Sequence, residues 1–251
     1  FKINNLAALL GENSLLKGTL SMQGLPDINA TFIQASLSNS VLDMRDLQTY
    51  LPADAYQTAR KFGMVNLTSE FIGYTNDFVA NGRFRTALGN IRTDINLKLP
   101  QNQDNITYNG SLYLRNFQLG KLLDQEETIQ QISFDGLVKG QGINPEKAVI
   151  ELDAKIAKLG LLGYDYQNII AEGKLAQGLF EGSLDINDPN LKFTALGNVD
   201  LAADKELINI SASLDTAFFQ ELNLTDKELF LSSKMVLNTS GFTIDNLTGE
   251  A

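Results

Sequence analysis

Apolar and polar side chains alternate along most of this chain with a period of two residues, and glycine repeatedly takes an apolar place. The pattern reads Gly18, Leu20, Met22, Gly24 near the start and returns as Phe78, Ala80, Gly82, Phe84 and as Phe134, Gly136, Val138, Gly140. It recurs as Ile169, Ala171, Gly173, Leu175, then Phe180, Gly182, Leu184, Ile186, then Phe193, Ala195, Gly197, Val199, Leu201. A period of two sends one set of side chains to one face of a pleated sheet. Glycine in that set removes bulk from the face and lets the sheet bend. The expectation is an all-β fold whose strands, roughly 8–12 residues long, are joined by short polar turns.

Asn187-Asp188-Pro189-Asn190 is the clearest turn, and Thr75-Asn76-Asp77 and Gly89-Asn90 separate three consecutive strands that end near Pro100. Gln101 to Asn105 reads as a polar loop before Ile106, Tyr108, Gly110, Leu112 and Leu114. Connections this short join antiparallel neighbours, because parallel pairing needs a long crossover. Roughly fifteen strands at about 4.8 Å would extend about 70 Å, and an open sheet that wide must curl, close or split. The predicted architecture is an elongated, strongly curved antiparallel sheet. No composition shift divides the chain, so residues 1–251 read as one segment.

Helical signals are few. Leu47, Leu51, Ala55 and Ala59 recur at four-residue steps within 43–62, with Pro52 where a second helix can begin, and predict a helical insertion there. Leucine-rich clusters at Leu6, Leu9 and Leu10, at Leu119, Leu122 and Leu123, and at Phe218, Phe219 and Leu222 predict one or two helical turns each.

Composition narrows the function classes. Twenty Lys and Arg against 30 Asp and Glu leave a net charge of −10. An acidic balance disfavours nucleic acid, and it equally disfavours charge-driven binding to an anionic membrane surface. There is no cysteine, histidine or tryptophan. The chain therefore has no disulfide framework and no thiolate zinc site, and it lacks the commonest general base and transition-metal ligand. No apolar run approaches the roughly 18 residues of a membrane-spanning helix. The chain opens at Phe1 without a signal-peptide pattern and stops at Gly249-Glu250-Ala251 within alternating sequence, which reads as a piece of a longer protein.

Few residues suggest chemistry. Asp124, Glu126 and Glu127 lie in a polar run after a leucine turn, and a solvated face explains them better than the paired carboxylates of a glycosidase. Asp43 and Asp46 read as acids at a helix N-terminus that complement its dipole. Asp185, Asn187 and Asp188 could be read as a calcium turn, but the glycine and closing glutamate of an EF-hand loop are missing. Asn66-Leu67-Thr68 and Asn109-Gly110-Ser111 match the N-glycosylation triplet and read as products of Asn- and Thr-rich solvent faces. These readings leave no catalytic residue, no cofactor and no metal, and an enzyme is the class least favoured.

Between 106 and 199 the motifs become distinctive. The stretches YNGSLYLRNFQLGKLL (108–123), ISFDGLVKGQGI (132–143), LGYDYQNIIAEGKL (162–175) and FEGSLDINDPNLKFTALGNVDL (180–201) resemble the TamB family, the translocation and assembly module subunits of the AsmA-like group. The likeness is to its Bacteroidota-type members, and LDMRDLQTYLP (42–52) is similar to the family's short helical insertions. The resemblance implies a β-taco, a long folded sheet with an apolar groove, in the periplasm of a Gram-negative cell envelope. It implies an inner-membrane anchor that is absent from this chain, phospholipid movement between inner and outer membranes as a bridge-like lipid transporter, and an Omp85-family (TamA-like) barrel partner in outer-membrane protein assembly. Asp215-Thr216-Ala217 looks like the O-glycosylation triplet of Bacteroidota periplasmic proteins, with Thr216 as acceptor.

The in-phase residues are the candidate lining of such a groove: Leu20, Met22, Phe78, Phe84, Ile95, Leu97, Leu112, Leu114, Phe134, Val138, Ile150, Leu152, Leu175, Phe180, Leu184, Ile186, Phe193, Val199, Ile210 and Leu214. Gly82, Gly110, Gly136, Gly173, Gly182 and Gly197 are its candidate glycines, expected where the wall bends or makes room for an acyl chain. Three functions compete: a conduit whose ligand is phospholipid acyl chains, a scaffold that offers strand edges to outer-membrane proteins, and a periplasmic spacer with a closed core.

Overall fold

The computed structural model describes residues 1–51, 53–100, 105–142, 147–200, 207–240 and 247–250. Fifteen strands run through them: β1 (Lys2–Leu10), β2 (Ser14–Gln23), β3 (Phe32–Asp43), β4 (Met64–Tyr74), β5 (Asp77–Thr86), β6 (Gly89–Lys98), β7 (Thr107–Phe117), β8 (Ile129–Gln141), β9 (Val149–Leu161), β10 (Tyr164–Ala176), β11 (Leu179–Asn187), β12 (Leu191–Asp200), β13 (Leu207–Phe218), β14 (Phe230–Ser240) and β15 (Leu247–Glu250). They form one curved sheet in which strand order equals chain order and every neighbouring pair is antiparallel. β1 and β15 do not pair with each other, so the sheet is open.

Because each strand reverses direction, the connections after odd-numbered strands gather along one rim and those after even-numbered strands along the other. All helical structure among the described residues sits on the odd rim. Two 3-10 turns (Met44–Leu47 and Arg60–Phe62) flank helix α1 (Ala53–Ala59) between β3 and β4, and helix α2 (Leu119–Leu123) follows β7. After β13 a single turn closes with the Leu222 amide donating to the Phe218 carbonyl at 3.1 Å. Phe62 at the end of the first segment, α2 and the turn after β13 fold back onto the apolar face and hem the sheet. Phe62, Leu119 and Leu122 pack against a core of Leu88, Phe117, Ile132, Phe134 and Ala154. Leu222 and Phe219 do the same with Tyr166, Ile169, Leu214 and Ala217. Backbone bonds stitch the hem together: Ala87 donates to the Phe62 carbonyl at 2.9 Å and Gln118 to the Leu88 carbonyl at 2.7 Å. The Lys61 ammonium reaches both the Leu122 carbonyl (2.8 Å) and the Asp124 carboxylate (2.7 Å).

Near the hem the alternation changes step. The inward residues Leu37 and Ser40 are three apart, as are Leu114 and Phe117, and the pairing register skips at both places. Asn39 and Asn116 occupy the skips with left-handed backbones, φ 48° and 49°. These are β-bulges, which bend a strand by inserting one unpaired residue, and asparagine tolerates the left-handed region better than other non-glycine residues. Asn168 (φ 52°) holds the same place between the buried side chains of Tyr166 and Ile169.

Two expectations are corrected and a third is extended. Leu6, Leu9 and Leu10 belong to β1 instead of a helical turn: Leu6 pairs with Gly18 and Leu10 with Ser14, while Leu9 points to solvent at 79% exposure. A run of consecutive apolar residues concealed a period of two. The turn expected at Gly89-Asn90 lies at Ala87-Leu88, because the Thr86 hydroxyl accepts from the Leu88 (3.0 Å) and Gly89 (3.1 Å) amides and closes the chain earlier. Asp43 caps its helical turn, accepting from the Arg45 amide at 3.0 Å, and Asp46 lies in that first turn as expected, with its carboxylate directed to the β1–β2 turn. Asp46 accepts from the Glu12 amide (3.1 Å), the Asn13 amide (3.0 Å) and the Ser14 hydroxyl (2.7 Å). The Ser14 bond, ahead of the amide bonds, holds the Asp46 carboxyl below the usual carboxylate range. Most of the polar loop expected at 101–105 lies outside the described residues.

The bulge geometry makes a direct prediction. Asn116→Val places a β-branched residue in a left-handed backbone and is expected to lower stability by about 1–2 kcal/mol, whereas Asn116→Gly stays within about 0.5 kcal/mol. Urea-denaturation midpoints of the two variants measure the difference.

Candidate functional site

Residues paired directly across neighbouring strands share a face of the sheet. By that rule the register gathers every candidate lining residue and glycine onto one side, in four rows. The row nearest the unhemmed rim holds Met22, Phe78, Leu97, Ile150, Leu175, Phe180 and the backbone position of Val199, whose side chain is outside those described. The next runs through Leu20, Ile95, Gly110, Val138, Leu152, Gly173, Gly182, Gly197 and Ile210. The third carries Gly82, Leu112, Gly136 and Leu184. The row beside the hem carries Phe84, Leu114, Phe134, Ile186, Phe193 and Leu214.

Hydrophobic packing over this face is uneven. Only Phe134 and Leu214 among the lining residues with described side chains are fully buried, both in the hem row at 8% exposure. The others are half-buried all the way to the unhemmed rim. A face covered by a second layer would bury its residues throughout, as close-packed interiors do. Among the described residues the sheet is therefore a trough, with an apolar floor, one wall made by the hem and an opposite rim on which no helical segment is found.

The glycines do not leave the floor pitted. A Cβ on Gly82 or Gly136 would meet the ring of Phe84 (2.8 Å) or Phe134 (2.9 Å), each two residues along the same strand. The Phe180 ring covers two cross-strand partners at once, lying 2.5 Å from a Cβ built on Gly173 and 2.9 Å from one on Gly182. The Tyr108 ring lies over its partner Gly140, with its hydroxyl donating to the Gly142 carbonyl at 3.2 Å. At Gly110 and Gly197 the carbonyls of Asp94 and Asn209 on the adjoining strands take the space. The room expected for an acyl chain is thus filled by the protein's own rings and backbone, and any guest lies on a levelled surface.

Several floor residues were missing from the sequence-based set. Phe71 and Ile91 share the rows of Ile95 and Phe84, and Tyr108 shares that of Leu97. Phe71 is followed by the outward Ile72, so two adjacent apolar residues hid the phase. For Ile91 and Tyr108 the signal was present as unbroken alternation with Ile95 and with Leu112.

The polar candidates have structural employment. Asp188 is 1% exposed; it accepts from the Tyr164 hydroxyl (2.6 Å) and from the Asn190 (2.8 Å) and Gln167 (2.9 Å) amides, which closes the β11–β12 turn. Asp185 is exposed on the opposite face. Asp124 sits left-handed (φ 57°) at the end of α2 and pairs with Lys61, while Glu126 and Glu127 are exposed and their carbonyls accept from Gln130. Thr216 is half-buried in the β13 register skip between Leu214 and Ala217. Asn66 and Asn109 lie in strands on the polar face. Loss of solvation, then the bond to Asp188, pushes the Tyr164 phenol up to about 12.

Compared with protein-family models, with curated proteins and with solved structures, the chain gives no match.

Two predictions test this geometry. Gly173→Ala forces the Phe180 ring aside and is expected to cost about 1–3 kcal/mol, with a clearly smaller loss in a Phe180→Leu background, as a double-mutant cycle by urea unfolding reads it. A raised phenol favours the neutral form in the folded state, so its stabilisation is whole below the ordinary value of 10.0 and is lost as pH rises toward about 12. Thermal midpoints followed from pH 9 to 12 are expected to fall less steeply in Tyr164→Phe than in the parent.

Proposed function

We propose that this chain is a stretch of a TamB-like periplasmic bridge whose trough carries the acyl chains of phospholipid between the inner and outer membranes. One observation carries the reading: an apolar face that is continuous in register from β2 to β13 yet only half-buried away from the hem. The cost of leaving such a face wet is removed when acyl chains cover it, since each methylene leaving water contributes about 0.8 kcal/mol. The contacts are non-directional and repeat from strand to strand, so a tail moved by one strand spacing finds an equivalent surface. The levelled glycine positions serve the same end, because a ring or a backbone carbonyl over each gap leaves no notch in which a tail would lodge. The polar headgroup stays in water along the rim opposite the hem. In this reading the rest of the longer protein supplies the inner-membrane anchor and the contact with an Omp85-family barrel.

Photo-crosslinking side chains at Leu97 and Leu112, which are on the floor, and at Leu137, which is 59% exposed on the opposite face, test the proposal in the intact protein in cells. Phospholipid adducts are expected at Leu97 and Leu112 and not at Leu137. Equal labelling on both faces, or no lipid adduct from a folded protein, would overturn it.

A further inference from the structure

The opposite face of the trough holds an unusual concentration of one residue type. Four of the chain's six arginines stand together on β5, β6 and β7: Arg83, Arg85, Arg92 and Arg115. They alternate with Phe84, Ile91 and Leu114 of the floor, so their side chains leave the other side. Arg83 is the direct cross-strand partner of Arg92, and Arg85 and Arg115 flank Asn90 from either side. With strands about 4.8 Å apart, the whole group spans about 10 Å across the sheet. Together with Asn66 and Asn90 the four line a concavity of about 580 Å³, a size that suits a small-molecule ligand.

Three features set this group apart from an ordinary solvated face. First, the protein carries a net charge of −10, and elsewhere on its surface lysines meet carboxylates, as in Lys98–Asp77, Lys139–Glu151 and Lys158–Asp165. Second, among the described residues none of these four guanidiniums makes an ion pair or hydrogen bond, although Glu70 and Asp94 stand in the next row of this face and Asp135 is opposite Tyr113. Arg92 instead lies over the Tyr113 ring, 4.7 Å from its centre, which holds its plane in place. Third, like charges directly opposed across a ladder destabilise it, so the Arg83–Arg92 pairing works against folding unless an anion lies between them. Guanidinium forks recognise phosphoryl oxygens bidentately, which lysine ammoniums do not.

We propose that this concavity binds a phosphorylated anion, with Arg83 and Arg92 gripping one phosphoryl group and Arg85 and Arg115 supplying the flanking charge. A long polyanion such as nucleic acid is disfavoured by the acidic surface around the patch. The site lies on the face away from the trough floor and does not depend on what the floor carries.

Calorimetric titration of the intact protein with tripolyphosphate, and flotation with phosphatidic acid vesicles against phosphatidylcholine vesicles, test the proposal beside the double variant Arg83→Gln/Arg92→Gln. Tripolyphosphate is expected to bind with an affinity that falls with added salt and drops about tenfold or more in the double variant. The double variant keeps or raises its thermal midpoint, since the opposed charges are gone. Flotation with phosphatidic acid that disappears in the double variant identifies the ligand as a lipid headgroup, and titration without flotation identifies a soluble phosphorylated compound. Absence of binding to both probes, equal binding by the double variant, or equal competition by poly-glutamate at matched charge would overturn it. None of these outcomes bears on lipid capture at Leu97 or Leu112.

Discussion

Everything in this molecule depends on keeping the inward phase of one strand in step with that of the next. A slip of one residue at any ladder would send a strand's apolar set to solvent and its polar set to the floor. The sheet resists this locally, ladder by ladder. Tyr74 pairs with Asp77 across a two-residue turn, Thr86 closes the next turn with its hydroxyl, and Asp188 clamps another through three hydrogen bonds. Burial alone could not do the same work, because most of the floor is only half covered. The hem concentrates what full burial there is, and it lies where the register skips and most needs fixing.

The division between floor and hem also divides the forces. In the hem, close packing, caps and stitched backbone bonds resemble an ordinary small core. On the floor the strands are held chiefly by their ladders, and the side chains meet only their neighbours on the same surface. Glycine and aromatic residues are coupled there: a ring needs a neighbour without a Cβ in order to lie flat, and the gap needs a ring in order not to be a hole. Phe180 across Gly173 and Gly182 is the plainest case, since one side chain serves two strands.

The period of two was legible because it is written in residue type alone. It sufficed to place Leu20 through Leu214 on one face and to name the glycines among them. What it could not reveal depends on cross-strand neighbours. Nothing in the order Phe180-Glu181-Gly182 says that the ring turns back over the glycine and over Gly173 of the preceding strand. Runs of adjacent apolar residues were a second blind spot, at Leu6–Leu10 and at Phe71-Ile72, where the alternation is present but masked. The partners of the Asp46 carboxylate were hidden because they are more than thirty residues earlier in the chain. The arginine group escaped notice for a related reason: its members are spread from 83 to 115, and only the register of β5, β6 and β7 brings them together.

The asparagine bulges divide β3, β7 and β10 into two parts each. On the floor side of Asn39 or Asn116 the parity of the chain is tied to the neighbouring ladder. On the hem side it starts afresh, because the unpaired residue has already absorbed an odd count. Where a hem segment follows such a bulge, insertions and deletions in it leave the parity of the floor unchanged. Segments as different as the twenty residues between β3 and β4 and the eleven between β7 and β8 follow the same kind of floor. At those places the hem is free to lengthen, shorten or be rebuilt, while the floor keeps a single repeating pattern from one strand to the next.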